Sequence, residues 1–159
     1  MPTLTPSIWF DRDAEDAANF YVSIFPNSRV VNVLKAPADS PGGSKGDVLT
    51  VDWVLDGQPY NGINGGPEFK PDEAISFVID CTDQAEVDRY WDALAAGGGE
   101  HGPCGWLKDR FGVSWQVVPR RLNELLESSD ADAAQRAMEA MLQMGKLDVA
   151  ELEKAYSGN

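Results

Sequence analysis

A strand–helix–strand pattern occurs twice along the chain, and this repeat constrains the fold more than any other feature. Residues 5–10 show the two-residue period of a strand, and an amphipathic helix is predicted at 13–25. A second strand is predicted at 74–81, followed by a helix that begins near Thr82 or Asp83. Two copies of one pattern predict two similar α+β halves side by side.

Turn signals support the same repeat. Asp56-Gly57 separates two predicted strands in the first half, and the turn at 109–112 separates two predicted strands in the second half. Superimposing the turns and the first strands of the two halves gives two pairs of counterparts. These are Ser7 with Ser76, and Asn61 with Gln116.

Two segments lie outside the repeat. Residues 37–46 are rich in proline, glycine and serine, which predicts a mobile loop or a hairpin tip. After Pro119 the sequence predicts two or three amphipathic helices, the middle one with an apolar stripe. The stripe consists of Ala137, Met138, Met141, Leu142 and Met144. It either packs on its own domain or forms a docking surface for a second chain.

Composition excludes several kinds of site. The chain has one histidine, His101, and two cysteines, Cys81 and Cys104, so it cannot form a multi-histidine metal site or a zinc ribbon alone. Its net charge of −13 disfavours nucleic acid and anionic membranes as partners. No apolar run is long enough for a transmembrane helix, and no signal peptide is evident. We therefore expect a cytoplasmic protein.

Four segments together resemble the PhnB-like family, often described as 3-demethylubiquinone-9 3-methyltransferase domain proteins. They are TPSIWFDRDAEDAANFYVSIFPNSRV, EFKPDEAISFVIDCTDQAEVDRYWDAL, CGWLKDRFGVSWQVVP and MEAMLQMGKLDVAELEKAY. The resemblance extends to the vicinal oxygen chelate superfamily of glyoxalase I, bleomycin-resistance proteins and extradiol dioxygenases. It implies an α+β, glyoxalase-like domain at 1–119, made of two βαβββ modules at about 1–66 and 74–119, with a helical extension at 120–159. It also implies a homodimer.

The resemblance also implies where the metal-using relatives bind a divalent ion. Their ligands are His, Glu or Gln residues on the first and last strands of each module. The matching positions here are Thr5 or Ser7, Ser76 or Ala74, Asn61 and Gln116. Hydroxyl and carboxamide groups are weak ligands for such ions. The sequence therefore predicts neither a metal nor another cofactor.

A pocket lined by neutral polar groups is predicted instead. Because alternate residues of a strand share a face, Trp9 is predicted on the same face as Ser7, where its ring offers a flat wall. The same alternation predicts that Trp115 points into the core. The predicted lining is Thr5, Ser7, Trp9, Asn61, Ser76 and Gln116. Such a pocket suits an uncharged or aromatic small organic molecule, and the negative charge of the chain favours a cationic one through long-range steering.

Two reactive groups lie in the segment GGGEHGPCG. His101 is a candidate general base, or simply a solvated side chain in a flexible glycine-rich segment. Cys104 is a candidate reactive thiol, because nearby cations favour the thiolate and Lys108, Arg110 and His101 are close in sequence. The alternative is an unreactive cysteine. Cys81 ends a predicted strand and is expected in the core.

Two classes of function remain open at this point. The first is a metal-free homodimer that binds a small organic molecule. The second is an enzyme, either a metal-assisted lyase, isomerase or dioxygenase, or the methyltransferase of the family description. The chain has no doubly wound pattern and no glycine-rich turn that opens a helix, so no residue pattern favours methyl transfer.

Overall fold

The computed structural model describes residues 1–159, which divide into two units, Met1–Asp72 and Glu73–Asn159. The first unit contains β1 (Ser7–Phe10), α1 (Ala14–Ile24), β2 (Ser28–Lys35), β3 (Val48–Leu55) and β4 (Gln58–Asn64). The second repeats this order with β5 (Ser76–Cys81), α2 (Gln84–Ala95), β6 (Glu100–His101), β7 (Trp106–Lys108) and β8 (Ser114–Pro119). It ends with α3 (Arg120–Leu126), α4 (Ala131–Met141) and α5 (Val149–Ser157).

The two sheets have the same topology. Their strand orders are β1-β4-β3-β2 and β5-β8-β7-β6. In each sheet the first strand pairs in parallel with the last strand, and the other neighbours are antiparallel. The predicted α+β fold, with paired βαβββ modules and C-terminal helices, is confirmed. None of the five helices has the length and apolar character needed to span a bilayer.

The two predicted turns are formed by different means. Asp56 and Gly57 both have positive φ, 45° and 89°, as a two-residue type I′ turn requires. In the second unit the buried carboxylate of Asp109 accepts hydrogen bonds from the backbone N–H groups of Phe111 and Val113. It also accepts one from the indole Nε1 of Trp115. Trp115 is thereby held in the core, as its strand parity predicts.

Two carboxylates cap the start of helix α2, in an arrangement close to a capping box. The carboxylate of Asp83 accepts a hydrogen bond from the Glu86 N–H, and the carboxylate of Glu86 accepts one from the Thr82 N–H. Of the two residues considered from the sequence, Asp83 is therefore the N-cap.

The segment at 37–46 forms a tight hairpin tip. Ser40 and Gly43 exchange two backbone hydrogen bonds, of 2.8 and 3.1 Å. A Cβ added to Gly42 would lie 2.2 Å from the carbonyl oxygen of Asn64, so only glycine allows this approach to the end of β4. The hairpin-tip alternative is therefore the one that the structure adopts.

The prediction that His101 lies in a loop is wrong. His101 belongs to the two-residue strand β6 and pairs with Leu107 of β7. The strand was missed because two residues are too few to show a period.

The tail forms three helices, and its apolar stripe divides between core and surface. Helices α3 to α5 share one cluster with β8, whose buried members are Val118, Leu122, Leu125, Ala137, Leu147 and Leu152. Met141 and Met144 pack against this cluster. Met138 and Leu142 remain 48% and 51% exposed. Ala137, Met141 and Met144 thus pack within their own unit, whereas Met138 and Leu142 lie on its surface.

Backbone hydrogen bonds attach the tail to the loop before β7. The N–H groups of Cys104 and Gly105 donate to the carbonyl groups of Met144 and Gly145, at 2.7 and 2.8 Å. A Cβ added to Gly105 would lie 3.0 Å from Leu147 Cδ1, so the loop backbone packs closely on this side chain. The tail and this loop are therefore parts of one packed structure.

We expect Leu147→Ala to lower the free energy of unfolding by about 3 kcal/mol, because it removes a fully buried side chain from this cluster and leaves a cavity. Leu142→Ala makes the same chemical change on an exposed side chain and should cost less than about 0.5 kcal/mol. Urea unfolding followed by tryptophan fluorescence measures both. Equal losses in the two variants would contradict the packing described for the tail.

Candidate functional site

A row of polar side chains crosses the face of the first sheet that points away from α1. The ladder aligns Ser7 of β1, Asn61 of β4, Asp52 of β3 and Asn32 of β2. The Ser7 hydroxyl donates to Asn61 Oδ1, and Asn61 Nδ2 donates to Asp52 Oδ1, both at 2.7 Å. The structure thus brings together two predicted pocket residues, and it adds Asp52, which the sequence prediction missed.

Trp9 lies on the same face and is partly buried. Its indole Nε1 donates to the Gly66 carbonyl at 2.9 Å, and its ring meets Phe69 edge-on with 5.1 Å between centroids. Thr5 precedes β1 and is exposed. Trp9 therefore has a fixed orientation, whereas Thr5 lies outside the sheet.

In the second sheet Ser76 and Gln116 are also brought together. Gln116 Nε2 donates to Ser76 Oγ at 2.9 Å. The register nevertheless differs from that of the first unit, because Ser76 lies opposite Ser114, and Gln116 lies opposite Val78. If Gln116 is the counterpart of Asn61, the counterpart of Ser7 is therefore Val78, two residues after Ser76. The difference is in the direction opposite to Ala74, the alternative considered from the sequence.

A cleft of about 360 Å³ opens beside these residues in the second unit. Its lining is Glu73, Glu100, His101, Gly102, Pro103, Trp106, Leu107, Lys108 and Ser114. One row of paired residues crosses β6, β7 and β8 and consists of Glu100, Lys108 and Ser114. Two residues along β7 on the same face, Trp106 pairs with Gln116. The sequence prediction missed this cleft. The sequence signal that could have indicated it is the alternation in β7, where Trp106 and Lys108 lie on the face opposite to the buried Leu107.

The charges of the cleft are unevenly paired. Lys108 Nζ and Glu73 Oε1 form an ion pair at 2.5 Å, and this hydrogen bond lowers the pKa of the Glu73 carboxyl. Glu100 lies opposite Lys108 in the ladder, but its carboxylate has no hydrogen bond or ion pair. The cleft therefore presents two carboxylates and one ammonium group.

His101 is fixed against α2. Its ring stacks on Trp91 with 4.3 Å between centroids and 8° between planes. Its Nε2 lies 3.0 Å from the Trp91 carbonyl oxygen, and since a carbonyl only accepts, Nε2 carries the proton in this hydrogen bond. Trp91 is buried beneath it.

The two cysteines differ in environment. Cys81 is fully buried, as predicted, and desolvation raises the pKa of its thiol to about 12, with smaller contributions from nearby carboxylates. Cys104 is partly buried and has a positive φ of 57°. None of the hydrogen bonds or ion pairs brings a cation to its sulfur. Its reactivity remains a prediction.

The residues at the superfamily's metal positions do not fit a divalent ion. Their hydroxyl and carboxamide groups are neutral and hydrogen-bond to one another or to Asp52. No group of three or more His, Cys, Asp or Glu side chains is arranged to hold a metal. To bind here, a divalent ion would have to break these hydrogen bonds, and it would gain only weak hydroxyl and carboxamide ligands in return.

Comparisons with known proteins agree with this architecture. A family model described as 3-demethylubiquinone-9 3-methyltransferase matches residues 2–118. A PhnB protein from Bacillus cereus is 29% identical with a TM-score of 0.64, covering 74% of this chain and 99% of that chain. Protein PA1353 from Pseudomonas aeruginosa is 19% identical with a TM-score of 0.62, covering 75% and 98%.

A fosfomycin resistance protein, FosX from Mesorhizobium loti, shares the fold at 14% identity. Its TM-score is 0.53, and the match covers 73% of this chain and 89% of that chain. A search of the curated proteins gives no match.

The two thiols should react differently in the folded protein. Because only the thiolate attacks an alkylating reagent, iodoacetamide at pH 8 should modify Cys104 but not the buried Cys81, whose pKa is raised to about 12. Mass spectrometry should show one label per folded chain and two after denaturation. Cys104→Ser should take no label when folded. Labelling of Cys81 in the native protein would contradict its described environment.

Proposed function

Because the chain belongs to the PhnB-like, 3-demethylubiquinone-9 3-methyltransferase family of the vicinal oxygen chelate superfamily, we propose that it binds a small organic molecule without a metal. The proposed site is the cleft of the second unit, together with the neighbouring Ser76 and Gln116. The observation that carries this proposal is a cavity of about 360 Å³ with an aromatic wall and several polar groups. Ligand pockets commonly combine a volume of roughly 300–1,000 Å³ with a few polar side chains.

The polar row of the first unit supports a binding role for that unit as well. Ser7, Asn61 and Asp52 form a connected hydrogen-bonded row, and Trp9 adds an aromatic ring on the same face. We propose that these residues and the exposed Thr5 contact ligand through hydroxyl, amide and ring atoms.

The donor chemistry favours binding over metal-assisted catalysis. A metal-dependent isomerase, lyase or dioxygenase needs imidazole or carboxylate ligands. The matching positions here carry hydroxyl and amide groups that already bond to each other.

Methyl transfer has no supporting feature beyond the family description. The two separate four-stranded mixed sheets are not the doubly wound parallel sheet of nucleotide-binding domains. The glycine-containing segment at 61–67 includes the end of β4 and opens no helix.

We also propose that the protein forms a homodimer. In support, the eight-residue edge strand β2 has one unpaired side and exposes Val31 and Leu34. Exposed apolar edge strands favour association.

Binding can be tested with the neutral fluorescent probe N-phenyl-1-naphthylamine. We expect saturable binding to the wild type, and about tenfold weaker binding to Trp106→Ala, because loss of the aromatic wall costs about 1.4 kcal/mol. Met138→Ala removes an exposed apolar side chain outside the cleft and is the matched control. No saturable binding to the wild type, or equal affinity in Trp106→Ala, would overturn the proposed site.

Metal removal provides a second test. The protein purified without chelator should hold no stoichiometric Ni, Zn, Fe or Mn by elemental analysis, and EDTA should leave both the melting temperature and probe binding unchanged. Stoichiometric metal that is retained by the wild type and lost in Gln116→Ala would refute the metal-free proposal.

A further inference from the structure

We propose that the cleft of the second unit selects an organic ammonium cation with a compact apolar body, held by the Glu100 carboxylate and the Trp106 ring. This inference rests on the proposed function, because it names the ligand class of the same cleft.

The carboxylate of Glu100 has no hydrogen-bond or ion-pair partner. Lys108 lies directly opposite it in the β6–β7 ladder, where an opposite charge would normally be its partner. The Lys108 ammonium pairs with Glu73 instead. A carboxylate left without a partner at the wall of a cleft is a ready counter-ion for a bound cation.

The ring of Trp106 differs from those of the other tryptophans in having no partner. Four of the five tryptophans have an identified partner for their ring or indole N–H. The pairs are Trp9 with Phe69, Trp53 with Tyr60, Trp91 with His101, and Trp115 with Asp109. Trp106 has no such partner and lines the cleft. The face of a tryptophan ring is the best aromatic partner for an ammonium group.

Glu100 and Trp106 are neighbours on the sheet. Trp106 lies two residues from Lys108 on β7, so it is the diagonal neighbour of Glu100 on the ladder, at about 7 Å between backbone positions. The Gly102 N–H donates to the Trp106 carbonyl at 2.8 Å and extends the pairing of β6 and β7. One small cation can therefore contact both groups.

An anionic ligand fits this cleft less well. Lys108 is the one Lys or Arg side chain in the lining, and an anion would have to compete for it with Glu73 and approach Glu100. The chain's net charge of −13 adds long-range repulsion of anions and attraction of cations.

The test uses three phenyl compounds that differ mainly in charge. Calorimetry on the full chain at pH 7.5 should show that 2-phenylethylammonium binds about tenfold more tightly than neutral 2-phenylethanol, and that phenylacetate binds most weakly. The cation's affinity should fall with added salt, since screening weakens an exposed charge pair.

Two cleft variants and one control variant show which residues produce the preference for the cation. Glu100→Gln should weaken 2-phenylethylammonium about tenfold and leave 2-phenylethanol unchanged, whereas Trp106→Leu should weaken both. Glu127→Gln makes the same charge change at an exposed position outside the cleft and should change neither affinity. Thermal unfolding of each variant verifies that it is folded.

The outcomes separate this inference from the proposed function. If 2-phenylethanol binds as tightly as the cation, or if Glu100→Gln binds the cation like the wild type, the cation inference is overturned and small-molecule binding stands. If neither phenyl compound nor N-phenyl-1-naphthylamine binds, both proposals fail.

Discussion

In each unit the parallel pairing of the first strand with the last strand is the contact on which the site depends. It brings Ser7 beside Asn61 in one sheet and Ser76 near Gln116 in the other, although these residues are far apart in sequence. The hydrogen bonds within each pair engage groups that would otherwise be open to a metal ion. The chemistry available on each face therefore follows from the sheet topology.

Much of the fold could be predicted from local patterns. Strand periodicity, the Asp56-Gly57 turn and the helix signals gave most elements of both modules, because each depends on neighbouring residues. The family resemblance supplied the βαβββ connectivity. The strand β6 was missed because its two residues carry no period, and the tip at Gly42 depends on a distant carbonyl group of β4.

The candidate site was less predictable than the fold. The repeat predicted Ser7 and Ser76, and Asn61 and Gln116, as counterparts, but the two units differ by two residues in register, which depends on how β5 and β8 align. The cleft depends on tertiary contacts that no local pattern records. The Lys108–Glu73 ion pair joins residues from β7 and from the segment before β5, and Glu100, opposite Lys108 in the ladder, has no ion pair.

The attachment of the tail has a consequence for diversity within the family. Gly102 and Pro103 form part of the cleft wall, and the next two residues, Cys104 and Gly105, are hydrogen-bonded to the segment at 144–145. The family match ends at residue 118, before that segment begins. One wall of the cleft is therefore hydrogen-bonded to a segment outside the region by which the family is assigned, so a change in that segment can reshape the cleft while every matched residue stays the same.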